Sequence, residues 1–246
     1  MKIKTEALVI REKSIGDNDR LVTLMTDNMG IINAFAVGAK SIKSRRGAAS
    51  SLLSFSDFTL DKKKDSYKIS EASIKRVFFD VGSDIESLSL AQYFCELSEY
   101  FYPFDEYSKE FLRLILNSLH FITTKEKSLN MIKAITELKI AAISGYEPNL
   151  ISCSGCGKFE DSSMFFNLSD GSLYCSSCAD SGGMIQLSPD ILKAMRHILY
   201  SDFSKIYSFS LSENNMKTLS KVTERYILYH AEKNFKTLDF YNSIKQ

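Results

Sequence analysis

Four cysteines in the second half of the chain have the spacing of a metal site. They form two pairs, Cys153-Ser-Gly-Cys156 and Cys175-Ser-Ser-Cys178, with 18 residues between the pairs. Each such pair makes a tight knuckle, and a hairpin between the pairs can bring four thiolates around one tetrahedral Zn²⁺. Residues 164–166 and 173–174 have the apolar character of two short strands on either side of a Ser-Asp-Gly turn. Four thiolates leave no open coordination position, so the sequence predicts one structural zinc ion and not a catalytic one.

Two other uses of these cysteines stay open on the sequence alone. The pairs could form a redox-active Cys-x2-Cys motif, or they could form two disulfides. A redox motif needs only one pair, which favours the metal. The fifth cysteine, Cys95, lies on the apolar stripe of a predicted helix, and we expect it to be a small buried hydrophobe.

A second group of residues is cationic and suits binding to a polyanion. Lys40, Lys43, Arg45 and Arg46 lie within seven residues that also contain Ser, in a predicted loop. Such a loop can follow a phosphate backbone, while exposed aromatic side chains stack on bases. The alternative is a solubilising surface loop. Weaker candidates for the same role are Arg20, in a turn at 16–20, and the charged hairpin tip with Lys62, Lys63 and Lys64.

The common signatures of catalysis are missing from the sequence. There is no phosphate-binding Gly-x-x-x-x-Gly-Lys-Ser/Thr loop, no Gly-x-Gly-x-x-Gly and no Gly-x-Ser-x-Gly. The three histidines, His120, His197 and His230, are far apart and lie in predicted helices. We therefore predict that the protein is not an enzyme and has no catalytic residues. A nuclease with dispersed carboxylates remains an alternative.

Length and composition indicate a folded protein of one large domain or of two or three small ones. The chain has 246 residues, with 44% hydrophobic and 25% charged residues and a formal net charge of +1. No apolar stretch approaches the ~18 to 20 residues of a membrane helix. The apolar run at residues 7–10 is too short for a signal peptide, so we expect a cytoplasmic protein without a disulfide framework.

The charge is unevenly distributed along the chain. Residues 1–80 contain 15 Lys and Arg against 10 Asp and Glu, whereas residues 81–246 contain 16 against 20. This asymmetry suggests separate modules, with a surface for polyanions in the first. Scatter among solvated side chains is the alternative explanation.

The elements that must position these residues change character near residue 80. Residues 5–13, 20–27, 31–37, 55–60 and 67–79 have the pattern of five short strands separated by turn signals, which predicts a small β-barrel, with a sandwich as the alternative. From residue 83 onward apolar residues recur at helical spacing, including a long helix over 214–235 and a Ser-Pro helix start at 188–189.

Taken together, these motifs resemble the bacterial recombination mediator family RecO. The matching stretches are residues 6–10, the Gly-Asp-Asn-Asp-Arg turn at 16–20, the loop at 38–45, the helix-to-cysteine junction at 137–157, and the approach to the second cysteine pair at 171–175. The resemblance implies a multidomain α+β protein. An OB-fold barrel at 1–80 would be followed by a helical domain at 81–246, which a zinc ribbon at 150–184 interrupts.

The resemblance also implies a function and a set of partners. Members of this family bind single- and double-stranded DNA and anneal complementary strands. With RecR they load RecA onto DNA coated by single-stranded-DNA-binding protein (SSB), whose acidic C-terminal tail they contact. By this resemblance Lys40, Lys43 and Arg45 match the cationic loop of the family, Arg46 is added on charge alone, and the protein acts at the bacterial nucleoid. A zinc-ribbon adaptor that joins proteins without binding nucleic acid is the alternative function.

Overall fold

The fold is described from a computed structural model of the chain. The structure describes residues 1–41, 45–63, 66–78, 84–102, 108–180 and 182–245, and at residues 45 and 108 it describes the backbone alone. Two predicted DNA-binding residues, Lys43 and Lys64, therefore lie outside the described residues, as does the side chain of Arg45. The chain divides into two compact units, Met1–Thr124 with Phe235–Gln246, and Lys125–Asn234. The domain boundaries expected from the sequence, at residue 80 and around 150–184, stay a prediction.

The first unit begins with a closed five-stranded barrel, which confirms the predicted barrel over the sandwich. Its strands lie in the order β1-β2-β3-β5-β4, and β4 closes the barrel onto β1. The strands are β1 Lys2–Ile15, β2 Asp19–Thr26, β3 Ile31–Ala36, β4 Ser54–Lys63 and β5 Ser66–Val77.

The barrel closes because one long strand serves two neighbours. The first half of β1 pairs with β4 and its second half pairs with β2, with an irregularity between Val9 and Arg11 where the strand bends. The parallel pairing of β3 with β5, through Ala34 and Tyr67, completes the circle. Small side chains such as Ala7, Ala34 and Ala36 point inward, as the narrow interior of a five-stranded barrel requires.

The predicted loop after β3 ends in a short helix that the sequence analysis did not predict. Helix α1, Arg45–Ala49, lies between β3 and β4 and packs against β4 and β5. Ala49 is fully buried. The helix is too short to show an apolar period, and its contacts with the barrel stabilise it. The described part of the cationic segment is thus a loop that leads into a helix.

Three helices complete the first unit. They are α2 Ile85–Phe101, α3 Ser108–Thr124 and α7 Lys236–Ile244. Asp84 caps α2 by accepting a hydrogen bond from the Ser87 backbone, and Glu96 of α2 accepts one from the Thr237 hydroxyl of α7 (2.6 Å). Cys95 is buried in α2, as predicted, and burial, with a smaller contribution from Glu99, raises the pKa of its thiol to about 12.

The C-terminal helical segment is interrupted, which corrects the single helix predicted over 214–235. Helix α6 ends at Ala231, and Glu232 adopts a left-handed conformation (φ 48°) that turns the chain. Phe235 is buried against Tyr93 of α2, with ring centroids 6.0 Å apart, before α7 begins. The apolar period continues through the break, so periodicity alone could not reveal it.

The second unit consists of three helices and a four-stranded sheet. The helices are α4 Leu129–Ile143, α5 Pro189–Tyr200 and α6 Glu213–Ala231, and the strands, in the order β6-β8-β7-β9, are β6 Asn149–Cys153, β7 Met164–Asn167, β8 Ser172–Cys175 and β9 Ile185–Leu187. The predicted hairpin is β7–β8, and Ser188 caps α5 with Pro189 as its first residue. No helix among the described residues is both long and apolar enough to cross a bilayer.

Helix α4 is the centre of the second unit and carries a buried ion pair. Every residue from Met131 to Ala141 is buried. The ammonium of Lys133 lies 2.7 Å from a carboxylate oxygen of Glu137 and 2.8 Å from one of Glu224 on α6, while the Thr223 hydroxyl donates to Glu137 at 2.8 Å. Burial raises the pKa of Glu137, and the adjacent Lys133 opposes that shift.

Candidate metal centre and nucleic-acid interface

The structure brings the four predicted cysteine ligands together at one end of the small sheet. Their Sγ atoms all lie within 4.8 Å of one another, and those of Cys156 and Cys175 are 3.6 Å apart. A tetrahedral Zn²⁺ with Zn–S bonds of about 2.3 Å places its sulfur atoms about 3.8 Å apart. The cluster therefore has the size and the ligand chemistry of a four-thiolate metal site.

Each cysteine pair lies in a tight turn, and glycines of the first pair let the two turns approach each other. Gly157 follows the first pair with a φ of 75°, and its N–H donates to the Cys153 carbonyl. A Cβ atom at Gly155 would lie 2.9 Å from the Cβ of Cys178, so only glycine lets the two knuckles approach this closely. In the second knuckle the N–H groups of Cys178 and Ala179 both donate to the Cys175 carbonyl.

The thiols of this cluster cannot all ionise without a cation. Burial resists ionisation of Cys153, but backbone N–H groups, led by that of Cys175, outweigh it and lower the pKa of Cys153 to about 6. Hydrogen bonds with neighbouring thiols, Cys156 first, raise the pKa of Cys178 to about 12. Four thiolates this close together would repel one another. A divalent cation at the centre would offset their negative charges and allow all four to ionise.

The ribbon is tied to α5 by one arginine. The guanidinium of Arg196 donates to the carbonyls of Leu150 (2.7 Å), Ile151 (3.0 Å) and Phe159 (3.1 Å), and it lies 4.5 Å from the centre of the Phe159 ring. A lysine could not reproduce this forked pattern. Arg196 therefore fixes the segment that carries the first knuckle onto the helical part of the second unit.

The start of the predicted cationic loop is held by the turn at 16–20. The carboxylate of Asp19 accepts a hydrogen bond from the N–H of Gly38 (2.8 Å), which has a φ of 67°. The ammonium of Lys40 donates to the carbonyl of Gly16 (2.9 Å). The acidic turn residue thus positions the loop, and the charge of Lys40 stays at the surface.

Of the predicted arginines, Arg20 lies beside α1 and Arg46 lies within it. Arg20 donates to the Gly47 carbonyl (3.0 Å) and to the Ser51 hydroxyl (3.1 Å), and its guanidinium lies 3.6 Å from a carboxylate oxygen of Glu12. Arg46 donates to the carbonyl of Ile69 in β5 at 3.4 Å. The structure therefore groups Arg20, Lys40 and Arg46 around the loop and α1.

The other predicted cations lie at the β4–β5 end of the barrel. Lys62 and Lys63 are exposed, and the ammonium of Lys62 lies 5.7 Å from the centre of the Tyr67 ring. Tyr67 pairs with Ala34, so this hairpin lies next to β3, the strand that leads to the loop. Lys62 therefore lies beside a residue of β5 that pairs with β3, the strand that precedes the loop.

Comparisons with known proteins agree along the whole chain. Residues 1–78 match the family profile described as Recombination protein O N terminal, and residues 82–239 match the one described as Recombination protein O C terminal. A protein of Acetivibrio thermocellus named DNA repair protein RecO is 32% identical over 243 residues, which cover 98% of this chain and 97% of that protein. A protein of the same name from Alkaliphilus metalliredigens is 30% identical over 246 residues, which cover 99% and 100%.

The chain belongs to the RecO family. This places it among DNA repair proteins and confirms the resemblance inferred from the motifs. The role of each predicted DNA-binding residue stays a prediction.

For this RecO-family chain, sequence reasoning missed a row of side chains on the outer surface of the barrel. Lys13, Leu21, Phe35 and Lys68 are register partners on β1, β2, β3 and β5, so they lie side by side. Phe35 is 39% exposed although it is aromatic. Strict alternation in β3 could have placed Phe35 on the outer surface, but only the register shows that Lys68 lies beside it.

Proposed function

We propose that this protein binds single- and double-stranded DNA through its barrel and anneals complementary strands. The observation that carries the proposal is the grouping of Arg20, Lys40 and Arg46 around one loop, next to a sheet surface where the exposed Phe35 lies beside Lys68. Cations contact phosphates of any sequence, and an exposed ring stacks on unpaired bases. Family membership supports action in DNA repair.

We further propose the partners that the family resemblance implies. With RecR, the protein helps to load RecA onto single strands coated by SSB, and it contacts the acidic SSB tail. This work takes place in the cytoplasm at the nucleoid. The metal of the second unit is proposed to be one structural Zn²⁺, held by Cys153, Cys156, Cys175 and Cys178, because the donors are four thiolates of tetrahedral size.

The proposed role needs no catalytic turnover, because annealing is an exchange of non-covalent contacts. In the proposal the metal has four protein ligands and the cations contact phosphates. Neither group supplies a nucleophile or an open metal position. We expect no ATP hydrolysis and no strand cleavage above a matched blank purification. Either activity would contradict this if it disappeared on a point mutation in the chain.

Replacing the four loop cations with alanine tests the DNA proposal. Each phosphate contact on a single strand contributes about 0.7 to the slope of log K against log salt. The quadruple variant should therefore bind labelled single strands of any sequence more weakly, with a slope flatter by up to about 3, and it should anneal more slowly. The four loop cations are Lys40, Lys43, Arg45 and Arg46.

The exposed ring of Phe35 has a separate test. Phe35→Ala should weaken binding to single strands and leave duplex binding unchanged.

A control with the same loss of charge separates the loop from overall electrostatics. Four exposed lysines elsewhere on the chain are replaced with alanine, and this variant should keep the wild-type salt slope. If the loop variant folds and keeps its affinity, slope and annealing rate, the loop is a solvated surface and the proposal is wrong. The control lysines are Lys109, Lys193, Lys205 and Lys236.

A further inference from the structure

The solvent-exposed side of helix α6 carries a row of cations. Lys217, Lys221 and Arg225 are exposed and recur every four residues, so they lie one above another on the helix. At a rise of 1.5 Å per residue the row is about 12 Å long. Lys217 pairs with Glu213 at 2.7 Å, whereas neither Lys221 nor Arg225 has an ion pair within the part of the chain that the structure describes.

This row does not help the helix to fold. Like charges four residues apart on a helix repel each other and weaken it slightly. The row also does not reflect a basic composition, because residues 81–246 contain 16 Lys and Arg against 20 Asp and Glu. Acidic residues flank the helix at Glu213 and Glu232, and between them the exposed side is cationic. A ligand with several negative charges would offset the repulsion.

Aromatic rings continue the row toward the end of the helix. Tyr229, one more helical step along, is 50% exposed, and Tyr146 is 40% exposed. The His230 ring stacks on Tyr146, with centroids 4.6 Å apart and planes at 28°, and it meets Tyr229 edge-on at 5.4 Å. Burial lowers the pKa of His230, which favours the neutral form of its ring. The three rings form an uncharged, partly exposed stacking surface.

We propose that Lys217, Lys221, Arg225 and Tyr229, here called the α6 face, form a second binding surface for single-stranded DNA. The cations contact phosphates along one strand, and a base stacks on Tyr229 or on the neighbouring Tyr146. A length of about 12 Å corresponds to three or four stacked nucleotides at about 3.4 Å each. A row of cations that ends in exposed rings matches a strand with both phosphates and unpaired bases, whereas an acidic peptide would leave the rings without stacking partners.

The inference rests on the proposed function and gives it a second site. Annealing requires two polyanionic strands to be held by the same protein, and each strand needs cations to offset their repulsion. The cationic loop belongs to the first unit and the α6 face to the second. One chain can then bind one strand at each surface.

The test measures whether the full-length protein binds two strands together. Two non-complementary oligonucleotides, labelled with donor and acceptor dyes, should show energy transfer when wild-type protein binds both. Lys221→Glu combined with Arg225→Glu should lower this transfer and the annealing rate on the order of ten-fold, and should change the affinity for a first strand less than about two-fold. Tyr229→Ala should weaken second-strand binding on the order of ten-fold.

Two comparisons make the result decisive. Lys193→Glu combined with Lys205→Glu makes the same charge change on the same unit and should leave both readouts unchanged, with the oligomeric state of every sample checked by light scattering. The inference is wrong if the α6 variant keeps co-binding and annealing. It is also wrong if that variant loses first-strand affinity as the loop variant does, or if an oligo-glutamate peptide and not DNA binds this face. Loss of first-strand binding in the loop variant alone supports the proposed function independently.

Discussion

Replacing one cysteine of the metal cluster with serine is expected to lower zinc affinity by on the order of 10²-fold or more. At metal sites, loss of a residue that only hydrogen-bonds to a ligand already lowers metal affinity by about 10- to 100-fold. Loss of a ligand removes a bond to the metal itself. Freshly purified wild-type protein should contain about one Zn²⁺ per chain. Cys156→Ser or Cys178→Ser should lower this content and the temperature at which the second unit unfolds, because metal binding supplies folding energy to a small ribbon.

The measurement combines elemental analysis with thermal unfolding, before and after chelation. Ser177→Ala is a matched control, because Ser177 is exposed within the second knuckle and does not supply a ligand. It should keep both the zinc content and the unfolding temperature. Wild-type protein purified under reducing conditions without zinc would contradict the assignment of the metal.

The second large effect is expected at the buried ion pair of helix α4. Lys133→Ala leaves the fully buried carboxylate of Glu137 without its cation, which typically costs about 3–5 kcal/mol of unfolding free energy. Glu224 is 24% exposed and can be hydrated, so the penalty arises mainly at Glu137. Urea unfolding of the wild type and the variant measures the difference.

Two further variants and the pH dependence test this explanation. Lys217→Ala removes an exposed pair of the same i,i+4 type and should cost less than about 1 kcal/mol. Lys133→Met combined with Glu137→Leu removes both charges and should recover most of the lost stability.

The pH dependence separates charge from packing. In Lys133→Ala the pKa of Glu137 rises further above its unfolded value, so the destabilisation of this variant should be larger at pH 8 than at pH 5. A loss that is equal at both pH values would show that packing, and not charge, is responsible.

Local signals in the sequence were sufficient for the individual strands of the first unit and for the cysteine cluster, whereas the choice between a barrel and a sandwich needed the pairing of β4 with β1. The spacing of the two cysteine pairs predicts their convergence, because a hairpin between them turns the chain back and brings its two ends together. The β7–β8 hairpin and the start of α5 at Ser188 were visible because turn and capping residues act on their immediate neighbours. The strands of the barrel were visible for the same reason.

Features that depend on distant partners needed the tertiary structure. Sequence alone could not show that Asp19 positions Gly38, since the two are 19 residues apart, or that Arg196 holds the carbonyls of the ribbon segment.

The sequence by itself determined the strands of the first unit, the main helical segments and the residues that can bind a metal or a phosphate, because these follow from side-chain chemistry and short-range spacing. Only the tertiary structure decided which of those residues face solvent and which meet. Lys133 and Lys221 are both lysines on predicted helices, yet Lys133 is buried between two carboxylates and Lys221 is exposed in a cationic row. The difference arises because burial is set by how whole helices pack, and a helix has no local signal for which neighbour will cover it.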